Sequence, residues 1–409
     1  MRWRIGLITG EFPPMQGGVG AFTQELAKAL ASLGHELWIV TDRRARPESA
    51  EKTPNRLRTP LDIGYAHLIA RGHAWGWPDM ALIADAALHY QWDIVDIQYQ
   101  AAAYNMRLPA INALPWRLRG LCRSVVTFHD LRSPYLFPKA GRLRHWVVMA
   151  LARSADGVIV TNSADAAVLR ADAGFARRRA AQPERLAQIP IGSNITRHAS
   201  TPADIAACRA ALGLSADQVL LGYFGFLNPS KGAEDLIAAL ADLGPRFHLV
   251  FIGGHTGASD PQTNQSYLDS IRTLIAAREL TARVHWTGFL NDVDVSHHLD
   301  ACDLMVMPYR DGVSLRRGTL MAVLAHGRPL ITTFPGAPTP ELAHGENVWL
   351  TPAADAPALT AAIQHLAAAP DTAARLGTAA HQLAQQFDWL PIAHQTSRLF
   401  QAILGQSKT

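Results

Sequence analysis

The stretch Met307-Pro308-Tyr309-Arg310-Asp311-Gly312-Val313-Ser314-Leu315-Arg316-Arg317-Gly318-Thr319, with Leu320 to His326 behind it, decides how the rest of this chain is read. Ahead of it, Asp303-Leu304-Met305-Val306-Met307 has the length and composition of a buried strand, and Pro308 closes it. Behind it, Leu320 to Ala325 reads as a helix, ended by Gly327 and barred from continuing by Pro329. The polar loop therefore joins the C-terminal end of a strand to the N-terminus of a helix. In a parallel sheet ligands bind at that position, because the helix's first N–H groups are unpaired and its dipole favours an anion. Ser314, Gly318, Thr319 and the adjacent Arg316 and Arg317 suit a phosphate-like anion, since guanidinium matches phosphate with two parallel hydrogen bonds. The plain alternative is a solvated basic turn.

The same strand-to-helix alternation runs through the whole chain. Arg4 to Thr9 reads as a first strand, Glu11 to Gly20 as an irregular loop, Ala21 to Leu33 as a helix stopped by Gly34, and His35 to Thr41 as a second strand. Gly17-Gly18-Val19-Gly20 lacks the G-x-G-x-x-G spacing of a dinucleotide fingerprint, although Gly17 and Gly18 would let backbone N–H groups approach a bound oxygen closely. Beyond a weakly patterned region, Asp93 to Ile97 and Ser124 to Phe128 read as strands. The second runs into His129-Asp130, which puts a histidine in the ligand crevice with a carboxylate beside it. After the helix Leu143–Arg153, the strand Gly157–Thr161 and the basic segment Ala180–Arg185, Pro190-Ile191-Gly192-Ser193-Asn194 closes the first domain.

The alternation then restarts. A connecting helix from Thr201 leads to the strand Val219–Phe224, the loop Gly225–Ser230 and a helix starting at Lys231-Gly232-Ala233-Glu234-Asp235, with acids in its first turn. Strands at His248–Ile252 and Arg283–Trp286 and helices near Gln265–Arg278 and Ser296–Ala301 lead to the opening stretch. Two alanine-rich helices follow, and the last helix is amphipathic, from Ile392 to Leu404. Two doubly wound Rossmann-like domains facing across a cleft are expected, with boundaries at 1–196, 197–386 and a final helix in 387–409. Asp292-Val293-Asp294 has the form of a metal-binding D-x-D, but it precedes a helix, where aspartates cap N–H groups.

Length and composition agree with this plan. The 409 residues suit two domains, and 48% apolar with 18% charged residues describe a well-packed chain. The net charge of +4 is modest, and its arginine clusters, Arg177-Arg178-Arg179 with Arg185 and Arg142 with Arg144, suit anionic ligands or an anionic membrane surface, or are simply solvated helix faces. Nucleic-acid binding would call for a larger excess and a recognisable module. Cys122, Cys208 and Cys302 lie far apart, with neither disulfide nor zinc spacing. With neither signal peptide nor membrane span in the pattern, a cytoplasmic protein is expected, at most peripheral at the inner membrane face. Trp75, Trp77, Trp116 and Trp146 are expected in the core, with a glycan or lipid site as the other reading.

Taken together these segments resemble the retaining glycosyltransferases of family 4, with the GT-B fold. The resemblance is carried by Pro13-Pro14 with Gly17-Gly18-Val19-Gly20, Leu33-Gly34-His35-Glu36-Leu37, Thr127-Phe128-His129-Asp130, Ile189-Pro190-Ile191-Gly192, Gly225 with Lys231-Gly232, Phe251-Ile252-Gly253-Gly254, Gly288-Phe289-Leu290, Ala301-Cys302-Asp303-Leu304 and Ala325-His326-Gly327-Arg328-Pro329. It implies a nucleoside diphosphate sugar donor bound mostly by the second domain, and a glycan or lipid-linked acceptor held by the first. It also implies polysaccharide-type biosynthesis without a metal. By the same resemblance Lys231 contacts the donor diphosphate, Gly18 lies beside it, and His129 lines the sugar site.

Two departures stand out. Gly225 is followed by Phe226, where the family usually has arginine, and the usual pair of glutamates would fall at Ser314 and Ala322, or at Asp311 and Thr319 if Asp311 is taken as the first. The expectation is that Arg316 or Arg317 replaces the missing arginine. The other reading is a nucleotide-sugar-binding or partner-binding protein that has lost turnover; an epimerase or phosphorylase of the same fold is less well matched.

Overall fold

The computed structural model describes residues 2–15, 17–46, 60–180, 182–193, 195–253 and 261–405, without the side chains of 261–264. Asn194 and Gly254, quoted above, lie outside the described residues.

The chain forms two units, Met1–Ile191 with Trp389–Thr409, and Gly192–Asp388. The first begins β1 (Arg4–Thr9), α1 (Gly18–Ser32), β2 (Glu36–Asp42), β3 (Leu61–Asp62), β4 (His67–Gly72), α2 (Trp77–His89) and β5 (Ile94–Tyr99). It continues α3 (Leu114–Arg117), β6 (Arg123–Phe128), α4 (Arg142–Ser154), β7 (Gly157–Val160), α5 (Ser163–Ala171), α6 (Ala173–Arg179) and β8 (Leu186–Gln188). Its strands lie in the order β3-β4-β2-β1-β5-β6-β7-β8, all parallel except β3 against β4.

The second unit runs α7 (Pro202–Ala211), β9 (Val219–Phe224), α8 (Ala233–Asp242), β10 (Phe247–Ile252), α9 (Pro261–Ala277), β11 (Val284–Trp286) and α10 (Asp292–Ala301). There follow β12 (Leu304–Met307), α11 (Gly318–Ala325), β13 (Leu330–Thr333), β14 (Trp349–Thr351), α12 (Ala356–Ala368) and α13 (Pro370–Ala384). Its sheet is parallel throughout, ordered β11-β10-β9-β12-β13-β14. Each sheet thus reverses direction once, at β1/β5 and at β9/β12, and those reversals are where an open parallel sheet leaves a crevice at its strand ends.

Both faces of each sheet are covered, so the inner strands are almost uninterrupted apolar runs, as parallel strands must be when no face meets water. In β12, Leu304, Met305, Val306 and Met307 are all buried. The final helix α14 (Trp389–Leu404) returns to the first unit, where Ile392, Leu399, Phe400 and Ile403 join Phe22, Leu26 and Leu30 of α1 in one core. Among the described residues no helix is long and apolar enough to cross a membrane.

Several local expectations need correcting. The region after β2 that lacks a clear pattern contains β4 and α2. Helix α2 is announced by Pro78 in its first turn and by buried Asp79, which accepts from the N–H groups of Gly76 and His73. Asp292 and Asp294 lie inside the first turn of α10, and the cap is Asn291, which accepts from the Asp294 N–H. Arg179 and Arg185 are buried, not a solvated face: Arg179 donates to the carbonyls of Ala155 and Asp156 at 2.7 Å each, and burial pulls its pKa down to about 10. Of the four tryptophans only Trp75 is core, whereas Trp77, Trp116 and Trp146 are exposed. The last helix starts at Trp389, three residues before Ile392.

The return of α14 is expected to be a major source of stability for the first unit. Phe400→Ala removes a fully buried ring and should cost about 3–5 kcal/mol, read as a lower denaturant midpoint for that unit; a change below about 1 kcal/mol would mean the helix is dispensable to it.

Candidate active site

At the switch point of the second unit, the loops after β9 and β12 meet. Lys231 ends a 3₁₀ turn over Pro229–Lys231, and α8 begins two residues later, not at Lys231 itself. Gly232 makes this possible: its φ is +72°, and a Cβ there would run into the carbonyl oxygen of Pro308. The Arg310 N–H donates to the Ser230 carbonyl at 2.9 Å, so the two loops are also stitched backbone to backbone. Arg310 then forms a two-pronged pair with Asp235 on α8, at 2.8 and 2.9 Å, and lies 3.5 Å from Glu234. Its hydrogen bonds to the Asp235 carboxylate hold the Arg310 pKa above its usual range.

Tyr309 is the centre of the loop. It is fully buried, and burial pushes its phenol up to about 12. The Arg317 guanidinium lies 3.9 Å from its ring centroid and the Lys231 ammonium 4.9 Å from it, both within cation–π range. Arg317 also pairs with Asp311 at 2.6 Å. Desolvation by burial, then the neighbouring Arg317, lower the Lys231 pKa to about 8, with Asp311 working against them.

Helix α11 starts at Gly318, two residues earlier than its apolar pattern implies, with Arg317 as N-cap and no side-chain cap bond. Gly318 and Thr319 thus supply its first-turn N–H groups, which a helix cannot pair internally. Gly225 brings the β9 loop against this turn, since a Cβ on it would lie 2.9 Å from Thr319 Cγ2. Ser314 Oγ accepts from the Arg316 N–H and Nε, both at 3.4 Å, and Arg316 is exposed. Phe226 is exposed. Lys231, Arg317, Gly318 and Thr319 are therefore brought together around Tyr309, with Ser314 and Arg316 at the outer edge of the same loop.

Gly17, Gly18 and His129 belong to the first unit. Helix α1 begins at Gly18, not Ala21, because half-buried Glu11 caps it from outside: Oε1 accepts from the Val19 and Gly20 N–H groups at 2.9 and 3.2 Å. Burial raises the Glu11 pKa despite those two bonds. The glycine-rich turn thus already carries an internal carboxylate. His129 follows β6, is buried, meets Phe22 of α1 edge-on at 4.7 Å, and is held neutral, its pKa lowered by burial to about 3. Its partner is not the adjacent Asp130, which accepts from the Arg132 N–H and from Gln100. Instead His129 Nε2 lies 3.1 Å from Gln98 Oε1.

The sequence gives no direct sign of the roles of Glu11, Gln98 and Tyr309, nor of the pair Arg310–Asp235. The one usable signal was alternation: Asp96-x-Gln98 in an otherwise apolar strand faces Thr127-x-His129 in the next.

Two doubly wound parallel-sheet units, one with a cationic loop at its switch point, define an α/β protein equipped for an anionic ligand. Residues 16–182 match the Glycosyltransferase Family 4 profile and residues 204–383 match that of the Glycosyl transferases group 1. The chain belongs to the glycosyltransferases built from these two domains, with the GT-B fold. The glycogen synthase of Mycobacterium tuberculosis (strain ATCC 25618 / H37Rv) is 25% identical over 424 residues, 98% of this chain and 94% of that protein. Sucrose-phosphate synthase from Thermosynechococcus elongatus has the same fold, with a TM-score of 0.72 at 23% identity over 99% of this chain and 100% of that one. So does Anabaena HepE in complex with UDP and glucose, at 0.70 and 20% over 97% and 98%.

Gly232→Ala should destabilise the second unit by about 1–3 kcal/mol, through the forced left-handed backbone and the clash with Pro308. A denaturation curve that does not move would show that the two loops do not depend on this approach.

Proposed function

We propose that this transferase is a retaining, metal-independent enzyme that moves a sugar from a nucleoside diphosphate sugar to a hydroxyl of a glycan or lipid-linked acceptor. The observation that carries the reading is the pair of cations, Lys231 and Arg317, held on one buried ring beside the unpaired first turn of α11. In the reaction the bond from the sugar's anomeric carbon to the β-phosphate oxygen breaks, and a new bond forms to the acceptor oxygen. The acceptor's proton passes to the departing phosphate on the same face. Negative charge grows on the leaving diphosphate, so fixed cations and helix N–H groups stabilise the transition state more than the bound donor. That chemistry needs no pair of carboxylates of the glycosidase kind, so serine at 314 and alanine at 322 are compatible with turnover.

In this reading Lys231 and Arg317 grip the diphosphate, Gly318 and Thr319 donate to it, and Ser314 and Arg316 flank it. Arg317 fills the role of the arginine absent at Phe226. Gly17, Gly18 and His129 serve the sugar and acceptor side. One feature favours the second reading, a donor-binding protein without turnover: Ser314 brings no carboxylate where the family resemblance implies one.

Contact with a membrane surface, which would suit a lipid-linked acceptor, is supported by one segment of the first unit. There Tyr135, Phe137, Leu143 and Trp146 are exposed beside Arg142 and Arg144, with Arg144 stacked 4.8 Å over Tyr135.

Titration with UDP and other nucleoside diphosphates tests the donor site. Lys231→Ala and Arg317→Ala should each weaken the best ligand about tenfold or more, and Arg316→Ala less. Affinity should also fall as pH rises through about 8, because Lys231 gives up its proton there. Unchanged binding in both Lys231→Ala and Arg317→Ala contradicts the reading; binding without any released nucleotide across many acceptors favours the second one.

Vesicles containing anionic phospholipid should sediment the native chain and not Phe137→Ser/Trp146→Ser. Equal sedimentation of the two removes the membrane contact.

A further inference from the structure

A buried polar chain runs through the first unit to His129. Asp96 and Gln98 alternate on β5, Thr127 and His129 on β6 and its end, and the strands pair in parallel with Gln98 opposite Thr127. All four side chains are buried, Asp96 and Gln98 completely. Thr127 Oγ1 donates to Asp96 at 2.8 Å to one carboxylate oxygen and 3.0 Å to the other. Gln98 Nε2 donates to Asp96 Oδ2 at 2.8 Å. That bond fixes which way the Gln98 amide points: its nitrogen goes to the carboxylate and its oxygen is left for His129 Nε2, 3.1 Å away. An amide oxygen only accepts, so His129 Nε2 must carry the proton. Nδ1 is then the ring's lone-pair nitrogen, and among the described residues it has no hydrogen-bond partner.

We propose that Asp96 and Gln98 are positioning residues that lock His129 into its Nε2–H tautomer, so that it meets the sugar or acceptor only as a hydrogen-bond acceptor, with Nδ1 receiving a hydrogen bond from a hydroxyl. The inference deepens the functional reading above and rests on His129 facing the sugar. The burial cost of four polar groups in the middle of a parallel sheet is offset only because each is bonded to the next, and while Asp96 is ionised and only accepts, such a network admits one proton arrangement. The neutral imidazole matches that role, since an imidazolium would have no lone pair to offer. The edge-on ring of Phe22, 4.7 Å away, closes one flank of the imidazole and limits its rotation.

The test combines a structural and a kinetic readout. Nitrogen-15 imidazole spectra of histidine-labelled protein, with the His129 signals assigned by their loss in His129→Ala, should show the Nε2–H form in the native chain. Gln98→Met keeps the side-chain volume and removes the amide. It should mix the two tautomers and lower kcat about tenfold, the worth of one hydrogen bond, with donor KM changed less than about twofold. Asp96→Asn, whose carbonyl oxygen still accepts from Gln98, should keep the Nε2–H form. An Nδ1–H tautomer in the native protein overturns the proposal without any variant, and so does an unaltered spectrum in Gln98→Met. Normal turnover in His129→Ala with the expected native spectrum would leave the tautomer lock standing and remove His129 from the reaction.

Discussion

Two positive groups held against one buried aromatic ring are the constraint on which the second unit turns. Lys231 and Arg317 repel one another, and each lowers its cost by lying over Tyr309. Asp311 neutralises part of that charge. Tyr309 is well anchored, because its ring is fully buried and its main-chain carbonyl accepts from Thr333 Oγ1 at 2.6 Å. In the proposed reading such a site is preorganised: the cations are in place before an anion arrives, so little reorganisation is needed as charge develops.

The fold explains why these groups can meet at all. Lys231 follows β9 and Arg317 follows β12, strands that are neighbours in the sheet although 79 residues of chain, with two further strands among them, separate them. Reversal of strand order at β9/β12 parts the flanking helices and leaves the two loops facing each other. Gly232 against Pro308 and Arg310 against Asp235 then set their separation. The first unit repeats the arrangement at β1/β5, but there Glu11 already occupies the N–H groups of the glycine-rich turn. The twin switch points are therefore chemically unequal, cationic in one unit and internally satisfied in the other.

Much of this was legible in the sequence, and the reasons differ from residue to residue. Strands such as Val219–Phe224 announce themselves because a parallel strand buried on both faces has only one composition open to it. Helix starts were less legible where glycines lead: Gly18 and Gly318 carry no capping side chain, so the apolar period began later than the helix did. Arg317 could be nominated from its place after a strand and Lys231 through the family resemblance, but not the ring between them, since a tyrosine after a buried strand gives no sign of cation–π contacts. Gln98 was passed over because its role depends on Asp96 and His129, one on its own strand and one beyond the next. That relation exists only once β5 and β6 are paired in register.

The most direct test of the account is a crystal structure of the full chain with a nucleoside diphosphate bound. The account predicts phosphate oxygens within hydrogen-bonding distance of the Lys231 ammonium and the Arg317 guanidinium, with the Gly318 or Thr319 N–H donating to the same group. A nucleotide well ordered elsewhere, with Lys231 and Arg317 touching none of its phosphates, would contradict it.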